Sequence, residues 1–398
     1  MRKRVLFVDD ESKILDGIRR MMHAERERWD MEFAIGGQAA LRACEAGSFD
    51  VVVSDMRMPG MDGATLLGLI RDRYPETARI VLSGYSETEL SLRAIPVAQR
   101  FLAKPCSASE LQSTIEQVCA LKELLNKPAV RGVVGSVGQL PSLSRTYTSL
   151  EKALTDPEVS MNEVAGIIEE DVGMSAKVLQ LVNSAFFGLG RSVTSVPNAA
   201  AYLGLDTIKN LALGSEVFRI FVPDKRISQS VCESIQKCAN RAAAIASGLP
   251  VDPKLREVAV VAALLHDAGS LVLASKMPDE FCAAHSIAAE RGCKVYEAEE
   301  ELLGTSHAEI GAYLLGLWGL RHQAVEAIAH HHRPTRVAHS DFDCTVAVYV
   351  ASLLAGKLEA DPTRAKGLEI EEPERVCLEK LGILSQFPAF YEGICIEA

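Results

Sequence analysis

Short apolar runs alternating with stretches of helical periodicity open the chain. Arg4-Val5-Leu6-Phe7-Val8, Phe49-Asp50-Val51-Val52-Val53-Ser54, Arg79-Ile80-Val81-Leu82 and Arg100-Phe101-Leu102-Ala103 are compact and rich in β-branched or aromatic residues. Bounded by acids, Pro or Gly, such runs predict fully buried strands. Between them, apolar residues recur at helical spacing around Ile14 to Met22, Gln38 to Ala46, Ala64 to Arg73, Glu89 to Ile95 and Ala108 to Leu125. This alternation predicts an α/β doubly wound parallel sheet. Ligands of such sheets bind in the crevice outside the carboxyl ends of the strands.

Beyond Leu140 the pattern turns almost wholly helical. Ser160-x-x-Glu163 has capping-box spacing ahead of Val164, Ile167 and Ile168. Helical spacing continues over Ala176 to Val182, Ala199 to Leu203, Ile208 to Phe218, Ile227 to Ala246 and Leu255 to Leu265. Pro128 and the glycines up to Gly138 mark a break between the two patterns. The expected organisation is an α/β domain over 1–125, a linker over 126–138, an all-α domain over 139–355 and an acidic helical extension over 356–398.

The residues that end the strands carry the first candidate chemistry. Asp9 and Asp10 follow the first run, Asp55 the second, Ser83-Gly84 the third and Lys104-Pro105 the fourth. Clustered carboxylates repel one another, and a hard divalent cation such as Mg²⁺, bound through oxygen, relieves that repulsion. Asp55 is then placed to attack phosphorus as a nucleophile, with Lys104 pairing one phosphoryl oxygen and Ser83 hydrogen-bonding another. The competing reading is that Asp9 and Asp10 only cap the next helix.

These strand ends, with Met58-Pro59-Gly60-Met61-Asp62-Gly63 after Asp55, resemble a two-component response-regulator receiver domain over about Met1 to Leu125. The resemblance implies a flavodoxin-like fold, phosphorylation of Asp55 by a sensor histidine kinase, and Mg²⁺ held by Asp9, Asp10, Asp55 and a carbonyl near Arg57. It also makes Phe101 the aromatic that changes rotamer with phosphorylation.

In the helical part, Ala262-Ala263-Leu264-Leu265-His266-Asp267-Ala268-Gly269 carries a His-Asp pair, with more imidazoles at His307, His330, His331 and His332. A nitrogen and an oxygen ligand at one helix end can hold a metal for phosphoester hydrolysis, provided the chain turns both side chains toward one point. Leu140-Pro141, Glu169-Glu170-Asp171, Leu181-Val182-Asn183-Ser184-Ala185-Phe186-Phe187-Gly188, Leu203-Gly204-Leu205, His266-Asp267, His307-Ala308-Glu309 and His330-His331-His332 resemble an HDOD domain. That family is related to HD-type phosphohydrolases but generally lacks their full metal site. Aligned by helix, Ser234 and Ser352 fall where hydrolytic relatives place a His and an Asp. Ser270 and Arg333-Pro334-Thr335 stand where the HD-GYP phosphodiesterases carry a Lys and Gly-Tyr-Pro. The expected pocket of His266, Asp267, His307, His331 and His332 is therefore a degenerate one: a buried hydrogen-bonded pair, ahead of a noncatalytic metal or small-ligand site, with hydrolysis last.

Charge and cysteine usage narrow the partners. The 398 residues carry a net charge of −11 and a pI near 5.4, which disfavours nonspecific binding to nucleic acid or an anionic membrane. The acidic tail has neither a core nor a basic recognition helix of its own, so no DNA-reading output domain is expected. Ten cysteines without a Cys-x-x-Cys pair suit reduced thiols. No signal-peptide pattern and no run of about eighteen uninterrupted apolar residues appears, so a cytoplasmic location is expected. Together these features predict a response regulator in which phosphorylation at Asp55 changes the protein contacts of a noncatalytic HDOD output. The downstream partner is a signalling protein or a second copy of the chain. The alternatives are a metal-dependent phosphodiesterase acting on a cyclic dinucleotide or nucleotide, and a non-hydrolytic nucleotide sensor.

Overall fold

A computed structural model describes residues 2–84, 94, 97–121, 124–125, 127–137, 144–156, 159–183, 193–204, 227–339, 342–360 and 370–392. Leu140-Pro141, the 184–188 and 208–218 stretches, Leu205 and most of the helix expected at 89–95 lie outside the described residues. The chain forms two compact units. One is Met1–Gln139 with Gln180–Ser192 and Tyr313–Leu320; the other is Leu140–Leu179, Val193–Ala312 and Arg321–Ala398.

The first unit holds strands β1 (Lys3–Asp9), β2 (Trp29–Ile35), β3 (Val51–Asp55), β4 (Ala78–Gly84) and β5 (Arg100–Lys104), all parallel in the order β2-β1-β3-β4-β5. This is the flavodoxin-like order, with its switch point between β1 and β3. Every residue of β3 is buried, as a continuous apolar run in a central strand requires. The sequence pattern did not single out β2. It is an edge strand, with Trp29 and Ala34 buried but Asp30 and Ile35 exposed, so its signal is a weak alternation interrupted by charge.

Helices α1 (Ser12–Met21), α2 (Gly37–Ala46), α3 (Gly63–Arg73) and α4 (Ala108–Leu121) accompany the sheet. Asp62 Oδ1 accepts the Thr65 N–H at 2.8 Å and starts α3. Gly63 lies so near the end of β3 that a Cβ would meet the Asp55 carbonyl oxygen at 2.1 Å.

The expected linker contains a further helix, α5 (Pro128–Gly135), with Pro128 in its first turn. The Arg79 side chain, 1% exposed, anchors it. Its Nη2 donates to the Gly135 carbonyl at 2.6 Å, its Nε to the Val97 carbonyl at 2.7 Å and its Nη1 to the Thr77 carbonyl at 2.9 Å. Burial, then Arg71, pulls this guanidinium down to about 9, and the carbonyl dipoles replace the water it has lost. Gly135 permits the approach, because a Cβ there would lie 2.1 Å from the Pro75 carbonyl oxygen. Gly135→Ala should therefore destabilise this unit by roughly 2–4 kcal/mol. Urea denaturation of the full chain reads this, and an unchanged midpoint would show that α5 docks without that contact.

The second unit is helical, in agreement with the sequence pattern. Its helices, together with the α8 and α15 segments that run into the first unit, are α6 (Ser144–Thr155), α7 (Met161–Glu169), α8 (Val172–Val182), α9 (Val196–Leu203), α10 (Gln229–Gly248), α11 (Pro253–Leu265), α12 (Ala268–Lys276), α13 (Pro278–Arg291), α14 (Val295–Leu303), α15 (His307–Leu317), α16 (His322–His330), α17 (Cys344–Ala360), α18 (Glu372–Lys380) and α19 (Phe387–Glu392). Ser160 Oγ accepts the Glu163 N–H at 3.2 Å, as the capping spacing predicts. Asp252 and Pro253 start α11, whose residues 258–259 and 261–265 are buried, and α11 packs against α10, α16 and α17. Among the described residues one run, Pro253–Lys276, is long and apolar enough to cross a membrane, but 78% of its apolar window is buried inside the fold. It is the core of this unit. The acidic extension is amphipathic: Leu378, Ile383 and Phe387 are buried, and Glu374 pairs with Lys357 at 2.7 Å.

Lys177 of α8 is 1% exposed, and burial brings its ammonium down to about 7. Between that value and the ordinary 10.5 the unfolded chain holds a proton that the folded chain does not, so stability rises with pH. The slope from this group is up to about 1.4 kcal/mol per pH unit. Denaturant midpoints at pH 7 and pH 9 should differ more for the natural chain than for Lys177→Met, and equal pH dependence in the two would refute the assignment.

Candidate functional site

The first cluster forms at the carboxyl ends of the strands. Asp9 closes β1 at 1% exposure, and Asp55 closes β3 at 7%. Lys104 Nζ donates to Asp9 Oδ2 at 2.8 Å and to Asp55 Oδ1. The remaining oxygens are also engaged: the Arg57 N–H donates to Asp55 Oδ2 at 2.8 Å and the Glu11 N–H to Asp9 Oδ1 at 2.9 Å. Asp10 follows half-buried at the same end. Ser83 pairs with Ala103 in the β4–β5 register, one residue short of the Gly84–Lys104 pair, and Phe101 is buried opposite Val81.

Neither Asp9 nor Asp10 caps α1; Glu11 occupies that position. Burial raises the Asp55 carboxyl above its ordinary value against the pull of Lys104. Burial acts the other way on Lys104, but its hydrogen bonds to Asp55 and Asp9 hold the ammonium above its ordinary value. One ammonium thus faces two buried carboxylates, with a third beside them. An all-oxygen donor set still in excess of negative charge fits a hard divalent cation, and Lys104 stands in for part of that charge.

The second cluster lies in the helical unit. Helix α11 stops at Leu265 and α12 starts at Ala268, so the chain turns at His266-Asp267 and brings both side chains to one place. His266 Nε2 lies 3.2 Å from Asp267 Oδ2, and its Nδ1 faces the Ala263 carbonyl at 2.6 Å. Asp267 Oδ1 faces His307 Nε2 at 3.3 Å and His331 Nε2 at 3.8 Å. His332 Nε2 approaches His307 Nε2 at 2.8 Å, and the His332 ring stacks on Tyr296 with centroids 4.3 Å apart. The five expected residues are therefore brought together. His330 is not in this cluster.

Electrostatics divide the imidazoles. Burial works against protonation of His307, yet Glu299 and Asp267 bring it up to about 10. Burial drives His331 down to about 3 and His332 well below the ordinary value. Despite burial, Asp267 holds His266 well above its usual range, and His266 and His307 hold Asp267 well below its own.

Family comparison covers both units. Residues 5–116 match the response regulator receiver domain, and residues 140–334 match the HDOD domain. The chain is a two-component response regulator. A Cupriavidus necator relative, "Hydrogenase transcriptional regulatory protein HoxA", is 33% identical to this regulator over 180 residues, 45% of this chain and 35% of the relative. A Treponema pallidum protein is 26% identical over 205 residues, 50% of this chain and 39% of its own. A solved structure described as the signal receiver domain of an HD domain-containing protein from Pseudomonas fluorescens Pf-5 shares 32% identity. It covers 31% of this chain and 97% of that one, with a TM-score of 0.29. The regulator spans less than half the length of the curated relatives it matches.

Two residues of the second cluster carry no local signal. Glu299, 1% exposed, accepts from His307 Nδ1 at 2.7 Å and from the His307 N–H at 2.8 Å. In the sequence it sits in an acidic run that reads as a solvated face. Cys238 of α10 reaches His266 and Asp267. It lies one helical turn beyond Ser234, the position that sequence alignment of the helices offered. On the opposite wall, Ser352 turns its hydroxyl to the Tyr349 carbonyl at 3.1 Å.

Proposed function

We propose that Asp55 is the phosphorylated residue of this regulator, and that its phosphorylation switches protein contacts made by a noncatalytic HDOD output. In the proposed reaction an Asp55 oxygen attacks the phosphorus of a phosphohistidine on a sensor kinase. The P–N bond breaks as the acyl-phosphate P–O bond forms, and water later returns free phosphate. Asp9, Asp10 and Asp55 would hold Mg²⁺, which supplies neutralisation of the transferring phosphoryl charge. Lys104 pairs one phosphoryl oxygen, the Ser83 hydroxyl takes another, and Phe101 reports the change as a rotamer shift. The domains proposed are a receiver over 1–125 and an HDOD output over 139–355, acting in the cytoplasm without DNA.

The observation that carries this reading is Lys104 held between Asp9 and Asp55 at converging strand ends. A noncatalytic output is supported by Cys238 and Ser352 on the walls of the second cluster, where hydrolytic relatives supply a His and an Asp. Affinity capture with the full chain, phosphorylated, unphosphorylated and as Asp55→Ala, tests it. Phosphorylation should change which proteins, a second copy included, are retained. Identical retention by all three would sink the reading.

The convergence of Asp267 with three imidazoles favours one second reading, metal-dependent hydrolysis of a cyclic dinucleotide or nucleotide. Turnover by metal-loaded protein, lost in His266→Ala, would establish it. Saturable nucleotide binding without product would instead indicate a sensor.

A further inference from the structure

Asp267, His307, His331 and His332 each offer a donor atom, and these atoms all lie within 4.8 Å of one another. Bonds of 2.0–2.1 Å to a tetrahedral ion place neighbouring ligands ~3.3 Å apart. The separations of 2.8, 3.3 and 3.8 Å bracket that value. The residues come from three separate stretches: the α11–α12 turn, the start of α15 and the end of α16.

Hydrogen bonding fixes the tautomers. His331 Nδ1 lies 2.8 Å from the Ile328 carbonyl, an acceptor, so the proton sits on Nδ1 and the lone pair on Nε2. That Nε2 is buried with no hydrogen-bond partner, and the His331 side chain is 0% exposed. His307 Nδ1 donates to Glu299, which aims its Nε2 inward. A carboxylate behind an imidazole in this way orients it as a metal ligand and raises its basicity. His307 Nε2 and His332 Nε2, 2.8 Å apart, need a proton or a cation between them. A proton serves that pair alone and leaves His331 Nε2 unsatisfied. A cation serves all three rings and the carboxylate.

We propose that Asp267, His307, His331 and His332 form a binding site for one divalent transition metal ion of the zinc class, with Glu299 positioning His307. Three imidazoles and one carboxylate suit zinc rather than magnesium or calcium, which prefer all-oxygen shells. The site is independent of the phosphorylation proposed at Asp55.

The full chain, stripped with a chelator, is titrated with Zn²⁺ in competition with a chromophoric chelator. One equivalent should bind, and His307→Ala and His332→Ala should each weaken it at least about a hundredfold, Glu299→Gln about ten- to a hundredfold. His322→Gln and Asp55→Asn should bind as the natural chain does. Because His332 lies at the half-buried edge, His332→Gln serves as a variant that retains the fold, verified by far-ultraviolet circular dichroism. Zn²⁺ should raise the melting temperature of the natural chain and not that of His332→Gln. Failure to compete with the chelator, or unaltered binding by folded His332→Gln, overturns the proposal. So does a sulfur-to-metal charge-transfer band with Co²⁺ that Cys238→Ser abolishes, since it would put the ion on the Cys238–His266 side of Asp267.

Discussion

Asp55→Asn should take up no phosphoryl group from a small-molecule phosphodonor and should nevertheless be more stable than the natural chain. Uptake is read by intact-mass measurement in Mg²⁺, and stability by urea denaturation in chelator. The first effect is complete loss, because an amide cannot serve as the nucleophile. The second follows from charge. Two buried carboxylates share one ammonium, and burial is the largest influence on Asp55, raising it from the ordinary 3.8. A raised acid binds its proton in the folded state before the unfolded state does, so its contribution to stability falls as pH rises through that interval. The gain in Asp55→Asn, about 1–2 kcal/mol at neutral pH by analogy with other strained functional sites, should shrink as the pH approaches 3.8.

Lys104→Ala should do the reverse. It leaves Asp9 and Asp55 without their shared cation and costs roughly 2–4 kcal/mol, part of which millimolar Mg²⁺ should restore. Phosphorylated Asp55→Asn, or a Lys104→Ala chain as stable as the natural one, would contradict this account of the strand-end cluster.

Gly269→Ala should destabilise the helical unit by roughly 3–5 kcal/mol. A Cβ on residue 269 would meet the His307 carbonyl oxygen at 1.9 Å and the Gly311 nitrogen at 2.7 Å. These are backbone atoms of α15, so no side chain can rotate away; the two helices must separate. Separation moves His307 from Asp267, and with it the geometry of the whole imidazole cluster. Equilibrium denaturation of the full chain reads the loss, and a midpoint within error of the natural chain's would refute the close crossing. Gly311 shows the reciprocal contact, with its Cβ position 2.9 Å from the Gly269 nitrogen.

The strand-end cluster was legible because each member follows an apolar run that has to be a buried strand, and parallel strands align their carboxyl ends. Asp9, Asp55, Ser83 and Lys104 needed only that rule to share an edge. The edge strand β2 escaped because Asp30 and Glu32 break its apolar pattern, and both are tied to Arg4 across the sheet. In the helical unit the sequence supplied the His-Asp pair and the other imidazoles. It did not supply their partners, since Glu299 and Cys238 look like an ordinary surface acid and an ordinary thiol.

By itself, then, the sequence determined the alternation of strands and helices, the shared edge of the acids with Lys104, and the helical character of the chain beyond Leu140. Those depend on periodicity and chain direction, which are local properties. Tertiary structure alone decided that α5 is clamped by Arg79, that the His266-Asp267 turn faces His307 across a glycine-to-backbone contact, and that Glu299 stands behind that imidazole. Each of these depends on how closely two distant backbones approach, and that distance is set by the packing of whole helices, which no local pattern of residues encodes.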